Sequence, residues 1–189
     1  MEKFDNTEIR KRIMDELEEN VMAVSEEDID LLIDCIEKAG KIFVWAGGRE
    51  FIMLQAFCMR LFHMGYKAFV VGDSNVPPVG RGDLLIVCGS GGRMRGTTPV
   101  QVERAQSAGA KALILTANPQ NELSQKCDVR IALYGQSLYV LPEEIQSIQT
   151  MGSPFEQAQL VVLDYVINKM MRKNLWVEAD LVARHTNLQ

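Results

Sequence analysis

Two short stretches have the composition needed to hold an anion. They are Ala46-Gly47-Gly48-Arg49-Glu50 and Gly89-Ser90-Gly91-Gly92-Arg93-Met94-Arg95-Gly96-Thr97-Thr98, and each joins an apolar run to a helical pattern. Glycines let the backbone approach a ligand closely, and the free N–H groups of a helix start point at negative charge. Thr97 and Thr98 add hydroxyls beside Pro99, a residue suited to the first helical position. A plainer reading makes the glycines turns and Thr98 a cap. Two such loops meeting at one crevice favour the anion site. A dinucleotide site would need a third glycine where the first loop has Arg49-Glu50, leaving only Asp73 as a candidate acid, and no G-K-[ST] phosphate loop exists.

Proton transfer needs other side chains. Ser153-Pro154-Phe155-Glu156 offers a carboxylate at a helix start, and the same four residues spell a capping box with proline at the first helical position. Of the two histidines, His185 lies in the polar segment Arg184-His185-Thr186-Asn187, where a near-neutral pKa suits proton shuttling. A frayed tail is the alternative. His63, in the apolar RLFHMG, reads as a core or helix-end residue, and Met53, Met59 and Met64 read as core filling. Cys35, Cys58, Cys88 and Cys127 are scattered without a C-x-x-C pair, so neither a zinc cluster nor a nucleophile is expected; Cys88 borders the crevice as a structural residue.

The elements that must position these groups are legible as texture. Residues 7–40 read as a helical arm: Ile9, Ile13, Leu17 and Val21 recur every fourth residue, and Ser25 with Glu26, Glu27 and Asp28 restarts the pattern as a cap. From Lys41 to Gly135 short apolar runs (IFVWAGG, AFVVGD, LLIVCGSGG, ALILTAN, VRIALYG) alternate with helical patterns. That predicts an α/β core, a five-stranded parallel doubly wound sheet whose strands are buried on both faces. With the flavodoxin-like order 2-1-3-4-5, the crevice lies between the first and third strands, where both glycine loops emerge. Residues 153–189 form C-terminal helices, and one domain spans 1–189.

Composition narrows the function classes. With 47% hydrophobic residues the chain can bury a core without disulfides. A net charge of −5 with no Lys/Arg run argues against nucleic acid as partner. No signal-peptide pattern and no apolar run of about 18 residues is present, so no membrane is expected. Unpaired cysteines suit a reducing, cytoplasmic location.

Several segments resemble the sugar isomerase (SIS) domain family, and within it the 6-phospho-3-hexuloisomerases. They are MRLFHMGYKAFVVGD (59–73), the PP-x-x-x-GDLLI stretch around Pro77 and Asp83, GAKALILTANP from Gly109, MGSPFEQAQLVVLDYVI (151–167) and RHTNLQ (184–189). The resemblance implies homodimers or homotetramers packed through the helical arms. It also implies a phosphate site in the glycine loops and cofactor-free, metal-free aldose–ketose isomerisation of a sugar phosphate through an enediol. By the same resemblance Glu156 is the base and His185 an assistant, in its own or a neighbouring subunit. Gly47, Gly48, Arg49, Ser90, Gly91, Arg95, Gly96, Thr97 and Thr98 would hold the substrate. The chain departs from the family where Glu50 replaces a serine, and a carboxylate there repels phosphate unless it points away or pairs with Arg49. Arg93 and Arg95 would hold phosphate through charge-assisted bonds or form a solvated face. Those departures keep open a regulatory SIS domain that senses a sugar phosphate without chemistry.

Overall fold

Period-two burial explains the sheet. In β1 (Ile42–Trp45), β3 (Leu84–Cys88) and β4 (Lys111–Thr116), alternate side chains enter two separate cores. Ile42, Val44, Leu84, Ile86, Leu113 and Leu115 face one core; Phe43, Leu85, Val87, Ala112 and Ile114 face the other. These strands read as continuous apolar runs because helices cover both faces. The outer strands β2 (Ala68–Val70) and β5 (Val129–Ala132) depart from that expectation: β2 is half-buried throughout and Arg130 of β5 is exposed. Each has a neighbour on one side only.

The computed structural model describes residues 5–91, 96–138 and 146–188. All four strand pairings are parallel, and the order is β2-β1-β3-β4-β5, as the sequence predicts. The reversal of winding therefore falls between β1 and β3. The first core lies under α2 (Glu26–Glu37), α3 (Gly48–His63) and α6 (Ser153–Lys173). The second lies under α4 (Thr98–Ser107) and α5 (Glu122–Lys126), a five-residue helix too short to show a period in sequence.

The N-terminal arm begins with α1 (Asn6–Met22), capped by Asp5, whose carboxylate accepts the N–H of Glu8 at 2.9 Å. Ser25 caps α2 through the Asp28 N–H at 3.1 Å. No residue of α1 is fully buried, and its stripe of Ile9, Ile13, Leu17 and Val21 is only half-covered. Glu16 ties the arm to the segment before α6 by accepting the N–H of Ile148 at 3.0 Å and the Ser147 hydroxyl at 2.5 Å. The chain closes with α7 (Glu178–Val182). No helix among the described residues is long and apolar enough to cross a membrane.

Candidate active site

Leaving β1, the chain turns at Gly47 and Gly48. Gly48 has φ +58°, a left-handed conformation that glycine adopts without cost. Gly47 caps α3 with no side-chain bond, so the first N–H groups of that helix keep no capping partner. Arg49, in the same turn, reaches across to α6. Its Nη1 donates to Ser153 Oγ at 3.1 Å and to Glu156 Oε2 at 2.8 Å. The arginine side chain is half-exposed, and that of Glu156 is 16% exposed. A carboxylate so covered is aimed by its guanidinium.

This contact corrects the capping-box expectation. The N-cap of α6 is Gly152, with no side-chain cap bond, and Pro154 stands second rather than first in the helix. Ser153 is already inside the helix and cannot cap it, while Glu156 lies one residue beyond the position from which a carboxylate reaches back. Both face Arg49 instead. The preceding turn holds Met151 at φ 55°, a left-handed strain at a non-glycine residue.

The other side of the crevice is the end of β3. Thr116 donates its hydroxyl to the Gly89 carbonyl at 3.0 Å and accepts the Asn118 N–H at 3.0 Å, which braces the loop just before Ser90. Ser90 donates its N–H to Glu50 Oε1 at 3.3 Å, and its hydroxyl donates to the same oxygen. Glu50 thus neither pairs with Arg49 nor points away; it turns into the crevice. Burial pushes its carboxyl above the usual carboxylate range, against the lowering effect of the Ser90 bonds, and the Cys88 thiol and Glu156 lie near it. Burial also pushes Cys88 well above the usual thiol range, with Glu50 adding to the shift, so the thiol is no nucleophile. Gln159, buried in α6, donates to the Glu50 main-chain carbonyl at 3.2 Å and fixes the first turn of α3 against α6.

Arg49, Glu50, Ser90, Ser153 and Glu156 help wall a cleft of about 510 Å³. Of the sequence candidates, Gly47, Gly48, Arg49, Ser90 and Glu156 meet in its wall. Gly91 follows Ser90 half-buried, while Gly96, at φ +77°, Thr97 and Thr98 stand at the start of α4 outside the described wall. Thr97 caps α4 without a side-chain bond. Arg93 and Arg95 lie outside the described residues.

His185 is elsewhere. Its ring packs on that of His63, centroids 5.1 Å apart, at the far end of α3. Fifteen residues of helix separate that end from Gly48, roughly 20 Å at 1.5 Å per residue. One chain therefore does not bring His185 to Glu156. Its tail is anchored rather than frayed: Arg184 donates to the Asp180 carbonyl at 2.8 Å and lies over the Trp176 ring. His63 is buried as expected, and burial, with His185 and Arg60 adding to it, holds its pKa below the usual histidine range.

Sequence reasoning passed over Glu50 and Ser153 as working groups of the cleft. Ser153 was visible only as a cap, and the partner of Glu50 is 40 residues away in sequence.

The SIS domain family model matches residues 35–151, and the chain belongs to that family. A curated relative from Bacillus subtilis (strain 168), named 3-hexulose-6-phosphate isomerase, is 34% identical over 97% of this chain and 98% of its own. One of the same name from Methanocaldococcus jannaschii is 32% identical over 85% of this chain and 83% of its own. A crystal structure of a hypothetical protein from Methanococcus jannaschii, for which a function of 3-hexulose-6-phosphate isomerase is inferred, superposes with a TM-score of 0.78. It is 27% identical and covers 96% of this chain and 97% of that one.

Proposed function

We propose that this protein is a sugar-phosphate isomerase that moves a carbonyl to the adjacent carbon through an enediol, the chemistry of aldose–ketose isomerases. The substrate class follows the relatives named 3-hexulose-6-phosphate isomerase. In a 3-hexulose the carbonyl stands at the third carbon, and one enediol step carries it to the second. The observation that carries the reading is the covered Glu156 carboxylate aimed by Arg49 in the cleft between the β1 and β3 loops. Glu156 takes the proton from carbon. The uncapped N–H groups at the start of α3, the loop at Gly91 and the Gly96-Thr97-Thr98 start of α4 receive the phosphate and outer oxygens of the substrate, while Ser90 stays bonded to Glu50.

The chain works as one domain with helical arms at 7–40 and 153–189, in the cytoplasm, where its four unpaired cysteines remain reduced. It assembles with itself. The half-covered stripe of α1 and the exposed Ile52, Met59 and Phe62 of α3 supply apolar surface for a second copy. Assembly gives His185 its role, because only the cleft of a neighbouring copy is open to it.

The test is proton exchange in heavy water with a panel of ketose and aldose phosphates, followed by NMR. Deuterium enters next to the carbonyl with the wild-type protein. Glu156→Gln lowers that rate about 100-fold or more. Binding without exchange across the panel would assign the chain to sugar-phosphate sensing instead.

A further inference from the structure

Glu50 is a second carboxyl in the cleft, and its partners differ from those of the first. Glu156 is bonded to the Arg49 guanidinium. Among the described residues no cation pairs with Glu50; its partners are the N–H and hydroxyl of Ser90 and the thiol of Cys88, all neutral. The titratable groups facing it are Cys88 from β3 and Glu156 from α6, with Arg49 on its own helix committed to Ser153 and Glu156. Burial therefore favours its neutral form, and Glu156 adds to the effect.

A phosphate dianion set against Glu50 would meet a carboxyl oxygen and find both Ser90 donors already used. A carbonyl or hydroxyl oxygen fits better, since it can accept a proton from the acid and return one to it. Two carboxyls in one site, one bonded to a guanidinium and the other held by neutral donors, can divide the acid and base roles between them.

We propose that Glu50 is the acid partner of Glu156, donating a proton to the substrate's carbonyl oxygen while Glu156 removes the proton from the adjacent carbon. This assignment rests on the isomerase reading. The C–H electron pair becomes the C=C bond of the enediol, and the carbonyl π pair becomes the new O–H bond with the proton from Glu50. In the second half the other enediol hydroxyl returns a proton to Glu50 as its oxygen becomes the carbonyl. Glu156 delivers its proton to the carbon that had been the carbonyl. Each carboxyl ends the cycle as it began, and no cofactor is consumed.

The experiment measures kcat and KM against pH, with isotope exchange, for wild type, Glu50→Gln and Ser90→Ala. Activity falls at alkaline pH as Glu50 loses its proton. Glu50→Gln, which keeps the size of the side chain, lowers kcat about 100-fold or more with KM within about threefold, and the alkaline limb due to Glu50 disappears. Ser90→Ala removes a bond that favours the ionised form, so the alkaline limb moves to higher pH. It serves as a second readout should Glu50→Gln fail to fold. A Glu50→Gln enzyme with kcat within threefold of wild type, or a Ser90→Ala limb that stays or moves down, overturns the assignment of Glu50 alone. A wild-type protein that exchanges no deuterium overturns the isomerase reading, and this assignment with it.

Discussion

Gly135 is the position at which one methyl group should disturb both stability and the site. It follows β5 with φ +119°, and a Cβ there would lie 2.7 Å from the Phe155 nitrogen and 2.8 Å from the Phe155 Cα and the Pro154 carbonyl carbon. Those are backbone atoms of the first turn of α6, packed behind a Phe155 that is fully buried, so no flexible side-chain end can give way. Gly135→Ala therefore costs about 1–3 kcal/mol of backbone strain and about 1–3 kcal/mol of overpacking. At roughly 2–4 °C per kcal/mol for a chain of this size, the melting temperature falls by about 4–24 °C. The same push displaces Ser153 and Glu156 from Arg49. A misplacement near 1 Å can cost about 100-fold in rate, so kcat measured well below the melting temperature should fall about tenfold or more. Thermal unfolding by circular dichroism, paired with steady-state kinetics, checks both. A melting temperature within about 2 °C of wild type would refute the packing argument.

Removing the guanidinium tests the aim of the base. Arg49→Met should lower kcat/KM by about 10–100-fold, and Arg49→Lys should recover part of it by restoring a charged donor; kinetics within threefold of wild type for the Met variant would show that Glu156 needs no guide. Acid should loosen the N-terminal arm. Burial alone would raise Glu16, but the bonds from Ser147, Gln149 and the Ile148 N–H outweigh it, with Arg12 assisting, and hold its carboxyl below the usual range. The stability this adds is present above the ordinary carboxylate pKa and is lost as pH falls through the lowered value. Glu16→Gln should accordingly cost on the order of 1–2 kcal/mol at pH 7, and the gap to wild type should narrow as the pH falls below the ordinary carboxylate range in urea unfolding; a gap that does not change with pH would contradict it.

What could be read from the sequence was what local patterning encodes. The runs IFVW, LLIVC and KALILT announce central strands because both of their faces are covered, and their alternation with helices announces a doubly wound parallel sheet; the crevice then follows from the flavodoxin-like order. Ser25 was legible as a cap because its partner Asp28 is three residues away. Ser153-Pro154-Phe155-Glu156 misled for the same reason. Its local spacing matches a capping box, while its contacts come from Arg49, more than 100 residues earlier. Glu50 could be noticed as a departure from its family, but its turn toward Ser90 and its withdrawal from water depend on packing that no local pattern contains. The docking of His185 on His63 is equally non-local.

The distance in sequence between the two walls of the cleft bears on how the protein comes to work. Arg49 sits just after the first strand, and its partners Ser153 and Glu156 sit 104 and 107 residues later. Closing so long a loop is entropically slow, and the sheet between them supplies most of the nearer-range contacts. In refolding from urea, strand pairing can be complete while the base still has no guide. Docking of α6 both closes the first core and brings Glu156 to Arg49, so catalytic competence returns with that core rather than with strand pairing alone.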